Sequence, residues 1–322
     1  MRWIRTVAAA ALVLTVAACG GAREGGGESG QYSGGRLSIA TGNTTGVYYQ
    51  LGGGYADLIN RYVPGYTATA EATGASVENL QRVASGGSDI AFTLADSAAD
   101  AVNGTGAFTE PQPIRALSRI YSNYTQVIAR TDTGVKTVAD MAGKRVSTGS
   151  PNSGTEVIAL RLLRAAGVDP DAGIDRQALS LPETVQGMKD GTIDAMFWSG
   201  GLPTGGVTDL TTSLGAEVTF VPLADVLPTM QADHGPVYQA ATIPASTYNQ
   251  PADVATIGVP NLLVVNADMP DDLAASLTSL LFDQQAALAQ VHPEGANIER
   301  ETAADTAPVP LHPGAQRALA GS

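Results

Sequence analysis

From residue 36 onward, short apolar runs alternate with amphipathic stretches. Leu37-Ser38-Ile39-Ala40 reads as a strand, Val47 to Tyr62 as a helix despite Gly52-Gly53-Gly54, and Tyr66 to Glu71 as a second strand. A helix near Val77 to Ala84 and the apolar run Ile90-Ala91-Phe92-Thr93-Leu94 complete a βαβαβ order, which predicts a mostly parallel sheet covered on both faces. Two further strands are expected at Ile114 to Ile120 and Gln126 to Arg130. The rhythm then restarts. Thr137 to Ala142 is a short helix, Arg145 to Thr148 a strand, Gly154 to Ala166 a helix, Ala178 to Leu181 a strand, Glu183 to Lys189 a helix and Ile193 to Trp198 a strand. A loop-rich stretch from Pro222 to His234 precedes strands at Gln239 to Ile243 and Ile257 to Val265, and a long helix from Pro270 to Val291. That last helix needs a sheet face to cover, and the first unit offers one. The expected architecture is α/β with two lobes: residues 36–125 and 238–322 form lobe one, and 126–237 form lobe two.

The N-terminus breaks this pattern. Arg2 and Arg5 precede about a dozen apolar or small residues from Val7 to Ala18, too few to span a bilayer as a helix, and Cys19 follows at once. The order matches an export signal over residues 1–18 ending in a bacterial lipobox, with Cys19 as the lipidated first residue of the mature chain. Between Gly20 and Gly35, eight of sixteen residues are glycine, so residues 19–35 are read as a flexible tether. An extracytoplasmic, lipid-anchored protein is expected, touching the membrane only through that lipid. Composition narrows the partners further. The 31 Asp and Glu outweigh 18 Lys and Arg, for a net charge of -13 that becomes -15 once Arg2 and Arg5 are removed, which argues against nucleic acid. With one cysteine, no disulfide framework or Cys-rich zinc site can form within the chain.

The candidate chemistry lies in loops. Thr41-Gly42-Asn43-Thr44-Thr45-Gly46 joins a strand to a helix in the first unit; Gly149-Ser150-Pro151-Asn152-Ser153-Gly154-Thr155 does the same in the second. A third such loop, Thr73-Gly74-Ala75-Ser76, precedes the helix that contains Asn79. The first N–H groups of a helix lack internal partners and carry partial positive charge, so these places suit an anion, although Ser/Thr-rich N-caps are also simply good helix starts. Loops at the carboxyl ends of parallel strands are where ligands bind in open α/β sheets.

Taken in order, several segments resemble the TAXI-type solute-binding proteins of tripartite ATP-independent periplasmic (TRAP) transporters. They include Ile39-Ala40-Thr41-Gly42 through Gly46-Val47-Tyr48-Tyr49, Thr73-Gly74-Ala75-Ser76-Val77-Glu78-Asn79-Leu80, Ser153-Gly154-Thr155-Glu156, Gly200-Gly201-Leu202-Pro203 and Val309-Pro310-Leu311-His312-Pro313-Gly314-Ala315. The resemblance implies a two-lobed, type II-like periplasmic-binding-protein fold with a cleft between the lobes. It further implies capture of a small acidic ligand such as glutamate, glutamine or a related dicarboxylate, and delivery to a TRAP-type membrane permease. Carried over by position, it points to Thr41, Gly42 and Tyr48, to Ala75, Ser76 and Asn79, and to Ser150, Ser153, Gly154 and Thr155 as ligand contacts. Trp198 is either an apolar wall of the cleft or plain core. The loops depart from the family at Asn43-Thr44-Thr45 and at Ala75, where glycine is more usual, which predicts a slightly narrower pocket. No arginine lies within the three loops; Arg119 and Arg130, the nearest on strand ends, are expected to be solvated.

Two other classes stay in view: a lipoprotein that shows its closed form to a signalling receptor, and a cleft enzyme. The sequence has no GxxxxGK[ST], GxGxxG after a strand, or GxSxG, and His234, His292 and His312 have no metal-ligand spacing. No catalytic residue, metal or cofactor is expected.

Overall fold

The structure, a computed structural model, describes residues 35–321. The expected signal peptide, Cys19 and all of the tether but Gly35 lie outside the described residues. Among the described residues ten strands and ten α-helices follow one another as β1 Gly35–Ala40, α1 Val47–Tyr62, β2 Tyr66–Glu71, α2 Ser76–Ala84, β3 Ile90–Leu94, α3 Ala95–Asn103, β4 Ile114–Arg130, β5 Arg145–Ser147, α4 Gly154–Ala165 and β6 Asp175–Gln177. They continue as α5 Leu181–Lys189, β7 Ala195–Gly200, α6 Gly205–Leu214, β8 Val218–Phe220, α7 Leu227–His234, β9 Gln239–Ile243, β10 Val254–Asn266, α8 Asp271–Asp283, α9 Gln285–Val291 and α10 Pro313–Ala320.

One sheet runs in the order β2-β1-β3-β10-β4-β7-β5-β6, with β8 on β4 and β9 on β10. Strands β1, β2 and β3 are mutually parallel, as are β5, β6 and β7. The two long strands between these sets, β4 and β10, are antiparallel to each other and to their neighbours. Each long strand serves both lobes. The first part of β4 pairs β10, and its end pairs β7 and β8; β10 pairs β9 at its start and β3 at its end. They cross between the lobes where Tyr124, Asn123 and Ser122 face Gly258, Val259 and Pro260.

Lobe one has its core around Val77, Leu80, Ala91, Leu262 and Val264. Lobe two packs one layer on each side of its sheet, around Leu162, Phe197 and Val259 on one face and Met196, Phe220 and Tyr248 on the other. Ile243 and Tyr248 belong to that second layer and Ile257 to the first, so the chain stays with lobe two past residue 237, as far as the β10 crossing. The hairpin of β9 with β10 explains this, because it carries apolar residues that only lobe two can cover. On lobe one, the Tyr55 hydroxyl of α1 donates to Leu277 O of α8 at 2.7 Å, which fixes the C-terminal helices beneath the first sheet. Among the described residues no helix is long and apolar enough to cross a membrane.

Candidate functional site

The cleft lies where the carboxyl ends of β1, β3, β5 and β7 meet the crossing of β4 and β10. Gly42, Tyr48, Ala75 and Ser76 line it from lobe one; Ser150, Ser153, Gly154, Thr155 and Trp198 line it from lobe two. Nine of the eleven residues expected to touch a ligand are therefore brought together. The space is about 430 Å³ including its mouth.

Thr41 and Asn79 are not among the lining residues. Thr41 Oγ1 donates to Glu71 O at 2.6 Å, and Asn79 Nδ2 donates to Thr41 O and Phe92 O at 2.7 and 2.8 Å. Both are fully buried. They tie β1, β2, β3 and α2 into the frame that holds the loops. Tyr48 also differs from a simple contact: its hydroxyl donates to Asn261 Oδ1, leaving its ring to the cleft. Trp198 combines the two alternatives. Its ring lines the cleft and joins the core layer of lobe two, and its Nε1–H donates to Thr204 Oγ1 at 3.1 Å.

Three helices begin at the cleft: α1 and α2 from lobe one, α4 from lobe two. Neither α1 nor α2 has a side-chain cap, whereas Ser153 Oγ accepts from Glu156 N at the start of α4. The α2 N-cap, Ala75, has φ 85° and ψ -144°, a conformation that favours glycine. The remaining hydroxyls act as acceptors within the protein, Ser76 Oγ from Leu94 N, Thr155 Oγ1 from Ser199 N and Ser150 Oγ from Asn43 Nδ2, which leaves their O–H groups as donors. No lining side chain is an acid or a cationic base. Arg119 lies 3.9 Å from Asp305, and Arg130 donates to Met188 O and pairs with Asp132; neither lines the cleft.

Sequence reasoning missed the floor. Tyr121 and Asn123 of β4 and Ser199 and Gly200 of β7 also line the cleft, as does Leu94 at the end of β3. Asn123 Oδ1 accepts from Asn261 Nδ2 at 2.9 Å, while the buried Tyr121 hydroxyl has no hydrogen-bond partner. The signal was Ser122-Asn123 between two tyrosines in the middle of the strand.

The lobes touch on several sides of the cleft. Asn43 bridges them, donating to Ser150 Oγ at 3.3 Å and accepting from Leu181 N at 2.6 Å, while Glu78 N donates to Asn152 O at 3.0 Å. Arg161 of α4 donates to Asp100 of α3 at 2.6 Å, and the Tyr238 hydroxyl donates to the buried Asp96 at 2.7 Å. Burial pushes the Asp96 carboxyl upward despite Arg161 and the hydroxyl beside it. On the far side, Glu294 of lobe one accepts from Leu202 N at 2.6 Å and from Asn297 Nδ2 at 2.7 Å, and His292 Nε2 lies 3.0 Å from Pro203 O. This holds the turn that follows the cleft-lining end of β7. Burial raises the Glu294 carboxyl, outweighing the lowering effect of the bonds from Leu202 N and Asn297 and of the nearby His292. His312 is structural: its Nδ1 accepts from Gly314 N at the start of α10.

The profile of the NMT1-like family matches residues 39–320. Among solved structures, the chain is similar to a binding protein component of an ABC phosphonate transporter from Pseudomonas aeruginosa, at 12% identity and a TM-score of 0.57, covering 83% of this chain and 80% of that one. It is also similar to PhnD1 from Prochlorococcus marinus, solved with methylphosphonate, at 10% identity and a TM-score of 0.55 over 82% and 91% of the two chains. A Bordetella bronchiseptica protein matches at 18% identity and a TM-score of 0.52, covering 88% of each. The fold is thus the two-lobed α/β type II periplasmic-binding-protein fold, with its cleft between the lobes. These findings correct the TAXI assignment and the TRAP permease that went with it: the family matched is NMT1-like, and the named transporter is of the ABC type. The short strand, Gly/Ser/Thr loop and helix motifs that suggested TAXI are what any such lobe needs at its ligand edge, so they identify the fold and not the permease.

Proposed function

Because the chain belongs to the NMT1-like family, we propose that it is a non-catalytic solute-binding protein that closes its two lobes on a small ligand and presents the closed form to an ABC-type membrane permease. The observation that carries this reading is the convergence of three helix N-termini, from both lobes, on one narrow cleft whose lobes are bridged by direct hydrogen bonds. Closure of this kind converts ligand contacts into a change of shape that a partner can read. The permease class is drawn from the phosphonate-transporter component to which the chain is similar. The export signal over residues 1–18 and Cys19 support a lipid anchor that keeps the protein at the membrane surface. Native mass spectrometry of the protein as purified tests the binding role: a retained small molecule, lost on unfolding and competed by added ligand, is expected, and a chain that neither retains nor binds any small molecule would overturn it.

A further inference from the structure

The cleft also constrains what its ligand can be. Its lining has no acidic and no cationic side chain, and it gathers the positive ends of three helices. The carboxylates around it are already engaged. Glu78 accepts from Gly74 N at 2.7 Å and pairs with Arg82 at 3.6 Å. Asp96 is held by Tyr238, and Glu294 by Leu202 N and Asn297. An ammonium group shut into this space would lose its water, face helix N-termini and find no lining counter-charge. An oxyanion meets the opposite conditions.

A second observation is independent of the helix ends. Asn43, Tyr48, Ser76, Asn123, Ser150, Ser153, Thr155, Trp198 and Ser199 all have hydrogen-bond partners within the protein. Among the polar side chains of the lining, Tyr121 alone has its polar atom unpartnered, at 2% exposure. A buried hydroxyl without a partner is unfavourable, and a ligand atom that reached it from the cleft would satisfy it. Burial also holds this phenol well above its ordinary range, so it stays an O–H donor.

We infer that the ligand is a small oxyanion without an ammonium group, whose acid sits at the N-termini of α1, α2 and α4 and whose second, neutral acceptor takes the Tyr121 hydroxyl. This rests on the binding-protein reading above and excludes the amino-acid ligands that the TAXI resemblance implied. Carboxylates and phosphonates share the required chemistry, and matched pairs separate them. Calorimetry of the full chain, stripped of retained molecules, compares L-lactate with L-alanine, 2-oxoisovalerate with L-valine, and hydroxymethylphosphonate with aminomethylphosphonate. In the pair that binds, the amine-free member is expected at least tenfold tighter, and Tyr121→Phe is expected to weaken it about tenfold while the melting temperature stays within a few degrees. An amino member that binds as well, or a Tyr121→Phe protein with undiminished affinity, would overturn the inference. If no pair binds, the molecule retained by the purified protein decides. An amine-free acid upholds the inference, an amine or a molecule without an acid overturns it alone, and no retained molecule overturns the binding reading with it.

Discussion

Gly154 shows how closely the lobes meet. A Cβ placed there would fall 2.5 Å from Leu94 Cδ1 and 2.6 Å from Ser76 Oγ, both on lobe one, although Gly154 opens α4 of lobe two. Its small size therefore serves closure more than the fold of either lobe. Gly154→Ala is expected to keep the melting temperature near that of the parent and to weaken ligand binding roughly 5- to 150-fold, the range set by the ~1–3 kcal/mol that overpacking typically costs. Calorimetry beside thermal unfolding checks both, and undiminished affinity would mean that this contact does not accompany binding. At this scale the loop residues were legible because Gly, Ser and Thr at a strand-to-helix turn have a physical purpose. Thr41 in the first loop and Asn79 in the helix after the third bond inward, a distinction that spacing does not encode. Tyr121 was hidden because strand patterning marks it as core, and its unpartnered hydroxyl exists only in three dimensions.

At the scale of elements, the βα alternation was readable from periodicity, while its exceptions follow long-range pairing. The strands expected at 114–120 and 126–130 are one strand, β4, whose polar middle is tolerated because Asn123 is satisfied by Asn261 across the crossing. The helix expected over 270–291 divides at Gln284 into α8 and α9. Helix α3 escaped because its sequence is mainly small and acidic residues, and α7 replaces part of an expected loop. The five-residue 3₁₀ turn Pro293–Asn297 was not foreseen either, yet it carries Glu294, the residue that grips the Leu202 turn. Because burial raises the Glu294 carboxyl above its unfolded value, the folded state binds the extra proton, and stability falls as pH rises from about 4.5, where the free carboxyl titrates, through the raised folded value. Each unit of that rise costs about 1.4 kcal/mol above the window. Glu294→Gln keeps an acceptor for Leu202 N and removes the charge, so its thermal stability is expected to change less between pH 5 and 8 than that of the parent. Parallel profiles for the two proteins would contradict this.

For the whole molecule, the net charge of -13 sets a general field against an anionic ligand. The cleft answers locally, with aligned backbone donors and an uncharged lining that closure removes from water. Two lobes and a cleft between them were legible in the order of elements. The transporter class was not, because the shared motifs are those of the fold. The central claim is that the lobes close on a ligand, and small-angle X-ray scattering of the protein stripped of bound molecules, before and after adding the oxyanion that binds it, tests this directly. The account predicts a smaller radius of gyration with ligand, reached by Gly154→Ala only at a higher ligand concentration than the parent needs; an identical radius for the parent protein at ligand saturation would contradict it.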